Sequence, residues 1–370
     1  MAAGSPALGV IPRSLRAEQL KRLSFLCGLP VGGRKDELIA RLTAARNTPP
    51  PVRSRSGPVI LSIDLGIRNM AFSLLTPISP SASASRKADA KSKKHSSTDQ
   101  SLSCLGTRPP AIKLHAWQRL SLIDGATNGD EDTLGVDTST AVFAPAALAK
   151  TANAFLQEIV LQLNPLPTHI LIERQRWRSG GGSAIQEWTV RVNTLEAMLH
   201  ASLQTLRDVR VWKGDVMSIR PERVGPLFLD AGKLDTGDTA QNEAIEEDEV
   251  DASGRKSRRK KTSGRKTSAE AKKLKIDLLG RWLDQGDLIV GPSNVETGHM
   301  IDAYRDALKG TKRSKSKRVA GERDTEKKHV TLDKKLDDLT DSLLQGMAWL
   351  RWQENIALLR LENGVEQLLQ

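Results

Sequence analysis

Apolar residues follow two different patterns along this chain, continuous runs and a helical repeat, and these patterns predict both strands and helices. Short continuous apolar runs at residues 59–63 and 170–172 are rich in β-branched residues and suit strands that are covered on both faces. In the C-terminal part, apolar residues recur at three- and four-residue steps, which is the period of an amphipathic helix with one buried face. The residues of this buried stripe are Leu336, Leu339, Leu343, Met347 and Leu350.

The segments between these landmarks predict three more strands and three more helices. Residues 71–75 and 112–122 are expected to form an antiparallel meander with the first strand, and residues 209–212 to form the last strand. Apolar residues at helical spacing predict helices within residues 146–163, 184–199 and 272–283. The fold class is therefore α/β, a mixed sheet flanked by helices, with a site expected at the carboxyl ends of its strands.

Three segments lack periodic apolar residues and are predicted to be disordered insertions in a domain that spans residues 58–355. The first is rich in Ser, Ala and Lys, the second passes from acidic to basic, and the third is basic. They lie at about residues 77–102, 232–267 and 309–328.

A small helical unit is predicted at residues 13–46, ahead of a proline-rich linker at residues 47–57. Its apolar residues fit two short amphipathic helices that are joined by a Gly/Pro turn, with basic residues beside the apolar ones. Cys27 is expected to be a small core residue. So few residues bury little apolar surface, and such a unit would be marginally stable alone.

Five acids stand out because packing does not require them where they occur. Asp64 and Glu173 each lie near the end of a predicted strand, and Asp337, Asp338 and Asp341 begin the C-terminal helix. Like charges three or four residues apart repel on a helix, whereas a divalent cation would make the same spacing favourable. Each acid also has an ordinary explanation. Aspartates favour the first turn of a helix, Asp64 could be a turn residue before a glycine, and Glu173 could pair with a neighbouring arginine.

Four segments in order resemble the RNase H-like nucleases and, more closely, the fungal mitochondrial Holliday-junction resolvases related to bacterial RuvC. They are residues 62–69 (SIDLGIRN), 172–175 (IERQ), 184–188 (AIQEW) and 337–342 (DDLTDS). The resemblance implies an RNase H-like sheet, with Asp64, Glu173 and the helix acids as the metal site. Residues 13–46 in turn resemble a SAP motif, a small DNA-binding helical unit; an ordinary helical hairpin is the alternative.

Hydrolysis of a phosphodiester requires an activated water, neutralised phosphate charge and a stabilised leaving oxygen, which two Mg²⁺ ions together supply. Mg²⁺ prefers hard oxygen ligands and keeps several waters, so a few carboxylates suffice, and Mn²⁺ is able to substitute. The two cysteines and six scattered histidines do not form a zinc motif. We expect Asp64, Glu173 and Asp341 to be ligands. Helical geometry leaves open whether the fourth is Asp338 or Asp337.

Charge predicts a polyanionic partner, because 56 Lys and Arg exceed 44 Asp and Glu and give a formal net charge of +12. Phosphate contacts are expected beside the acids and on the N-terminal unit, and the resemblance makes the ligand four-way junction DNA. The residues predicted to bind DNA are Lys21, Lys35, Arg41, Arg68, Arg174, Arg176, Arg178, Lys334 and Lys335. No small-molecule substrate is expected.

A four-way junction has approximate two-fold symmetry, so paired symmetric nicks predict a homodimer with two identical sites. No apolar run is long enough to cross a bilayer, and no membrane partner is expected. The resemblance implies a mitochondrial location and a role in mitochondrial DNA recombination. Two other functions remain open. One is a non-catalytic nucleic-acid-binding or intron-splicing factor with the same fold, and the other is an RNase H-like enzyme that cuts RNA in hybrids or acts as a general endonuclease.

Overall fold

The computed structural model describes nine stretches of the chain. They are residues 10–49, 57–78, 105–123, 141–175, 186–229, 268–286, 288–290, 294–313 and 336–370. Nearly all of the first and third predicted insertions, and all of the second, lie outside these residues. No helix among the described residues has the length and apolar content needed to span a bilayer.

The described residues form one six-stranded mixed sheet, with the spatial order β5-β4-β1-β2-β3-β6. The first three strands make the predicted antiparallel meander, β4 lies parallel to β1 on its other side, and β5 and β6 extend the two edges in parallel. This is the mixed sheet of an α/β fold that the sequence predicted, with β6 as an additional strand at one edge. The strands are β1 (Ile60–Asp64), β2 (Met70–Pro77), β3 (Ile112–Leu120), β4 (His169–Glu173), β5 (Asp215–Ile219) and β6 (Ile289–Val290).

Nine α-helices surround this sheet in the described residues, and the predicted helical segments are all among them. In chain order they are α1 (Ala17–Leu26), α2 (Lys35–Asn47), α3 (Pro145–Ala154), α4 (Glu187–Asp208), α5 (Val224–Leu229), α6 (Ser268–Gln285), α7 (Val295–Arg313), α8 (Asp337–Leu358) and α9 (Gly364–Leu369). A π-helical turn (Phe155–Ile159) and a 3-10 turn (Val160–Gln162) prolong α3. Helix α7 includes residues 309–313, which the sequence had assigned to the third insertion.

The predicted last strand at residues 209–212 was wrong, because the strand is formed by Asp215–Ile219 instead. Residues 209–212 close the end of α4, where the amides of Val211 and Trp212 both donate to the Leu206 carbonyl. Arg210 has a φ of 62°, in the left-handed region that commonly ends helices. The β-branched valines gave a strand-like composition, but Val209 and Val211 are exposed.

Successive residues of the central strands point to opposite faces, and a separate apolar core covers each face. On one face, Leu61, Ile63 and Ile172 pack beneath α3 and α4. On the other, Ile60, Leu75 and Trp117 pack beneath α8, with α6 and α7 beside it. The continuous apolar runs of β1 and β4 are explained by this double coverage.

Helix α8 lies directly on the sheet, and its position is fixed by small and polar residues. A Cβ on Gly346 would lie 2.6 Å from a Leu75 methyl carbon and 3.2 Å from the Ser62 Cβ, so the helix could not approach as closely with a larger residue. Nearby, the buried Gln345 amide donates to Ser62 Oγ at 3.1 Å and to the Ile63 carbonyl at 3.2 Å. The predicted apolar stripe of this helix is buried throughout.

The two N-terminal helices share the core that lies beneath α8, so they are packed as part of the same body. Leu23 and Leu38 are fully buried in this core, and Cys27 is buried there as predicted. The last carbonyls of a helix have no hydrogen-bond donor within the helix. At the C-terminal ends of α1 and α2, side chains from the rest of the chain donate to such carbonyls. Asn355 donates to the Leu26 carbonyl at 2.6 Å, and Arg360 donates to the Arg46 carbonyl at 2.9 Å.

We predict that Asn355→Ala lowers the free energy of unfolding by roughly 2 kcal/mol. The buried Asn355 amide also donates to the Gly106 carbonyl at 2.8 Å, and its loss leaves two buried carbonyls without their donor. Chemical denaturation followed by circular dichroism measures the change. Gln353→Ala, on the half-exposed side of the same helix, is the matched control and should have little effect. Equal stability of the two variants would contradict this role of Asn355.

Candidate functional site

The carboxyl ends of β1 and β4 bring two of the predicted acids together at one edge of the sheet. The parallel ladder pairs Ile63 with Ile172, and Asp64 and Glu173 are the next residues of the two strands. A tight turn ends β1 immediately after Asp64. A Cβ on Gly66 would lie 2.8 Å from the Asn69 carbonyl oxygen, so this turn requires glycine. Asp64 is therefore both a residue that precedes a turn and a neighbour of Glu173.

The N-terminal end of α8 lies over the same edge and adds two further carboxylates. The Trp117 indole donates to the Leu339 carbonyl at 3.0 Å, and the Tyr304 hydroxyl bonds Thr340 Oγ1 at 2.7 Å. These contacts fix the first two turns of the helix, which carry Asp338 and Asp341. Both aspartates are close enough to Asp64 to act on its ionisation.

The electrostatics of Asp64 show how crowded this group of acids is. Burial raises the pKa of Asp64 well above its usual range, and its hydrogen bond to Glu173 and the charge of Glu173 raise it further. The negative charges of Asp341 and Asp338 act in the same direction. We call Asp64, Glu173, Asp338 and Asp341 the carboxylate cluster. Its members repel one another in the absence of a cation.

Asp337 differs from Asp338 although the two are adjacent. Burial raises the pKa of Asp337, but the hydrogen bond from Lys272 of α6, the charges of Lys272 and Lys275 and a backbone hydrogen bond together outweigh burial, and the net pKa is lowered. The Lys272 Nζ to Asp337 Oδ2 distance is 2.8 Å. Asp338 is among the charges that raise the pKa of Asp64. Asp337 is instead paired with Lys272, and its charge acts on the pKa of Asp341.

A second lysine of α6 contacts a member of the cluster. Lys275 Nζ forms an ion pair with Asp341 Oδ1, and both side chains are partly buried. Burial raises the pKa of Asp341, and the charge of Lys275 offsets part of that rise. Sequence reasoning missed both lysines. Their three-residue spacing on a predicted helix was visible, but nothing in the sequence indicated that α6 lies beside α8.

The donor atoms of the carboxylate cluster fit a hard divalent cation. All are carboxylate oxygens, and the mutual repulsion that raises the pKa of Asp64 is what a bound cation would relieve. Among the described residues, no group of three or more His, Cys, Asp or Glu side chains is placed to hold a metal ion by itself. An open arrangement suits Mg²⁺, which keeps several waters and shares its remaining positions with substrate oxygens.

Two glutamines support this edge of the sheet, and sequence reasoning did not identify them. Gln345 donates to the carbonyl of Ile63, the residue before Asp64, and to the carbonyl of Leu171, two residues before Glu173. Gln175 Nε2 donates to the Leu65 carbonyl at 3.1 Å and ties the segment after β4 to the end of β1. A polar residue at the centre of the otherwise apolar run at residues 343–350 was the available signal for Gln345.

Of the predicted DNA-binding residues near the cluster, Arg68 and Arg174 are described. Arg68 is exposed in the turn after β1, and its guanidinium carbon lies 6.0 Å from the centroid of the Trp188 ring. Trp188, at the start of α4, is 41% exposed and packs edge-on against Phe143. The Arg174 backbone amide donates to the Ile219 carbonyl. Arg176, Arg178, Lys334 and Lys335 lie outside the described residues.

The three predicted DNA-binding residues of the N-terminal unit have different surroundings. Lys35 is exposed at the start of α2, and Lys21 is half-buried on α1. The Arg41 guanidinium instead donates to the carbonyls of Pro30 and Gly32, at 2.5 Å and 3.0 Å, and so fixes the turn between the two helices.

Comparison with known proteins identifies relatives of this chain. Residues 60–359 match the family described as mitochondrial resolvase Ydc2 / RNA splicing MRS1. The chain is 31% identical over 183 residues to the mitochondrial cruciform cutting endonuclease 1 of Schizosaccharomyces pombe. The aligned segment covers 49% of this chain and 53% of that relative, so the match spans about half the length of each.

Solved structures with a similar arrangement include two Holliday-junction resolvases. The yeast mitochondrial resolvase Ydc2 is 22% identical, with a TM-score of 0.49, and the match covers 95% of this chain and 98% of that one. The fowlpox virus resolvase, solved with junction DNA, is 12% identical with a TM-score of 0.29, over 80% of this chain and 97% of that one. The match to the family covers most of this chain, with all four acids of the cluster inside it, and the chain belongs to the family of mitochondrial resolvase Ydc2 and the RNA-splicing protein MRS1.

Proposed function

We propose that this protein is a Mg²⁺-dependent endonuclease that resolves four-way DNA junctions by paired symmetric nicks. The observation that carries the proposal is the carboxylate cluster, in which two strand acids and two helix acids meet at one edge of the sheet. Such a cluster is costly for a protein that only binds nucleic acid, because like charges destabilise the folded chain and repel phosphate. A relative with a matching segment is named as a cruciform cutting endonuclease.

The proposed site residues have two roles, metal binding and DNA binding. Asp64, Glu173, Asp338 and Asp341 would hold the ions. When bound, two Mg²⁺ ions supply an activated water and neutralise charge on the phosphate and on the leaving oxygen. Arg68 and Arg174 flank the cluster and would hold the DNA backbone on either side of the cut, a contact that is blind to sequence. Lys35 and Lys21 would add phosphate contacts from the N-terminal unit.

The second candidate is a binding protein without catalysis, because the family also includes an RNA-splicing protein. Such a protein needs the basic surface, but nothing in its task requires four acids beside it. We also propose a mitochondrial location and a role in mitochondrial DNA recombination, by analogy with the relative named as mitochondrial. Fluorescence microscopy of the tagged full-length chain tests the location.

The first prediction concerns the acids and the substrate. With Mg²⁺, we expect the protein to cut a four-way junction at symmetric positions and to leave a linear duplex and an RNA–DNA hybrid intact. Asp64→Asn and Asp338→Asn should each lower the cleavage rate at least about 100-fold, because losing even a residue that only supports a metal ligand costs 10- to 100-fold. Both variants should still bind the junction.

Asp337→Asn is the matched control for this experiment. It removes the same charge from the adjacent residue, and Asp337 is paired with Lys272 outside the cluster, so cleavage should change much less. Cleavage of the hybrid instead of the junction would indicate the RNase H-like alternative. Binding of RNA without any cleavage by the wild type would indicate the splicing-factor alternative.

The second prediction uses stability instead of activity. Asp64→Asn should stabilise the metal-free protein at pH 7–8, because the amide carries no charge that has to be buried among the other acids. The raised pKa of Asp64 determines the direction in which the stability of the wild type changes with pH. The unfolded carboxyl ionises first as pH rises, so the folded wild type loses stability from about pH 4 upward until the folded pKa is passed. The advantage of the variant should therefore vanish near pH 4.

Adding Mg²⁺ should make the wild type more stable than Asp64→Asn. The wild type should gain thermal stability with increasing Mg²⁺, because the ion binds the folded state alone, and Asp64→Asn should gain less. Differential scanning fluorimetry at pH 4, 6 and 8, with and without Mg²⁺, measures both effects. A variant less stable than the wild type without metal at pH 8 would mean that the cluster is not under repulsion.

The third prediction is a homodimer with two-fold symmetry, since paired nicks require two related sites. Multi-angle light scattering should give twice the mass of one chain. We expect the start of α4 at the interface, where Trp188 and Val190 are exposed beside the cluster edge. Val190→Asp should therefore weaken the dimer and uncouple the two nicks. Val209→Asp, at the other end of the helix and also exposed, should do neither.

A further inference from the structure

Helix α6 places two lysines against the helix that carries the cluster aspartates. Lys272 contacts Asp337 and Lys275 contacts Asp341. Two lysines three residues apart on α6 therefore pair with two aspartates four residues apart on α8. The two pairs differ in exposure. The Lys272 side chain is 54% exposed, whereas that of Lys275 is 19% exposed, and only Lys275 contacts a member of the carboxylate cluster.

We propose that Lys275 is a positioning residue that neutralises Asp341 until a divalent ion binds, and that it then moves to a phosphate of the DNA. This inference rests on the proposed function, since it takes Asp341 as a ligand. It adds a role for a residue outside the acids, and it makes metal binding and DNA binding depend on each other.

The first step of the argument is competition for one carboxylate. The Lys275 ammonium lies on Asp341 Oδ1, on the side chain that a divalent ion would need. Two cations at one carboxylate repel each other strongly where water is partly excluded. Lys275 therefore has to give up this contact, or at least share it at a cost, when the ion binds.

The second step is that the side chain of Lys275 moves and its helix stays in place. Helix α6 is fixed in the core by Leu279, Trp282 and Leu283, all of which are buried. A lysine stem has four flexible carbons, so the ammonium can move several ångströms while the backbone is stationary. The position of the helix confines the released ammonium to the neighbourhood of the cluster.

The third step is the destination of the ammonium. The scissile phosphate has to lie at the carboxylate cluster, and a lysine beside that phosphate gains a charge-assisted hydrogen bond. DNA then draws Lys275 away from Asp341 and strengthens metal binding, and metal binding strengthens DNA binding by the same factor. An ordinary surface ion pair would have neither effect.

The test measures binding of Mn²⁺ alone to the full-length, DNA-free protein, by electron paramagnetic resonance of the free ion. Lys275→Met keeps most of the stem and removes the competing charge, so Mn²⁺ should bind about tenfold more tightly than to the wild type. Lys275→Arg keeps the charge and should bind Mn²⁺ about as the wild type does. Lys273→Met, on the same helix but exposed, is the matched control and should have no effect.

Two further measurements separate positioning from a purely structural role. In the Asp341→Asn background, the gain from Lys275→Met should disappear, because the pair no longer exists to be broken. At saturating Mn²⁺, Lys275→Met should cut the junction more slowly than the wild type, so metal affinity and cleavage change in opposite directions. Circular dichroism checks the folding of each variant, and Lys275→Gln replaces Lys275→Met, with the same expectations, if the latter does not fold.

Each outcome decides one claim. Mn²⁺ affinity that is unchanged or weaker in the folded Lys275 variant, with normal binding by the wild type, would overturn the role of Lys275 and leave the proposed nuclease intact. A wild type that binds no Mn²⁺ and cuts no junction would instead contradict the proposed function itself.

Discussion

Repulsion among four carboxylates is the constraint around which this edge of the molecule is built. The folded chain holds Asp64, Glu173, Asp338 and Asp341 close together, and burial adds to the cost by removing water from Asp64. The hydrogen bond between Asp64 and Glu173 and the ion pair of Lys275 with Asp341 offset part of that cost. The packing of α8 on the sheet provides further compensation, and this one contact surface determines where two of the four acids lie.

That seating combines apolar burial with a few specific polar contacts. Leu339, Leu343 and Met347 bury the apolar stripe of the helix, and burial of that kind is strong but insensitive to small shifts along the axis. Gly346 and Gln345 remove this freedom, because the helix can approach closely only at the glycine and the amide finds its acceptors only at one position. The first turn also helps, since the positive end of the helix dipole favours Asp338. The ordinary explanation of a first-turn aspartate and the metal-ligand explanation are therefore compatible.

The sequence predicted most of the sheet and both strand acids because their signals are local. A buried parallel strand is continuously apolar, so one acid near its end stands out, as Asp64 and Glu173 did. The error at residues 209–212 was also local in origin. Valines favour strands through packing, and there the two valines are exposed at the end of a helix while only Trp212 is buried. Composition alone does not show whether a residue is buried or exposed in the folded protein.

The relations between distant segments were beyond the sequence. The helical pattern does not choose between Asp337 and Asp338. In the structure Asp337 pairs with Lys272, which lies on a helix that is separated from α8 along the chain by the third insertion. The sequence also contained no sign that the N-terminal helices contact the rest of the chain. The hydrogen bonds from Asn355 and Arg360 to carbonyls of these helices join residues more than 300 positions apart.

The shared core of the N-terminal unit has a consequence for how DNA would be held. A DNA-binding module on a flexible tether raises the local concentration of its ligand but does not orient it. Here α1 and α2 share an apolar core with α8, the helix that also carries two of the cluster acids. Basic residues such as Lys35 therefore stand at a fixed distance from the carboxylate cluster. Under the proposed function, a duplex arm bound at Lys35 would reach the carboxylate cluster from one fixed direction.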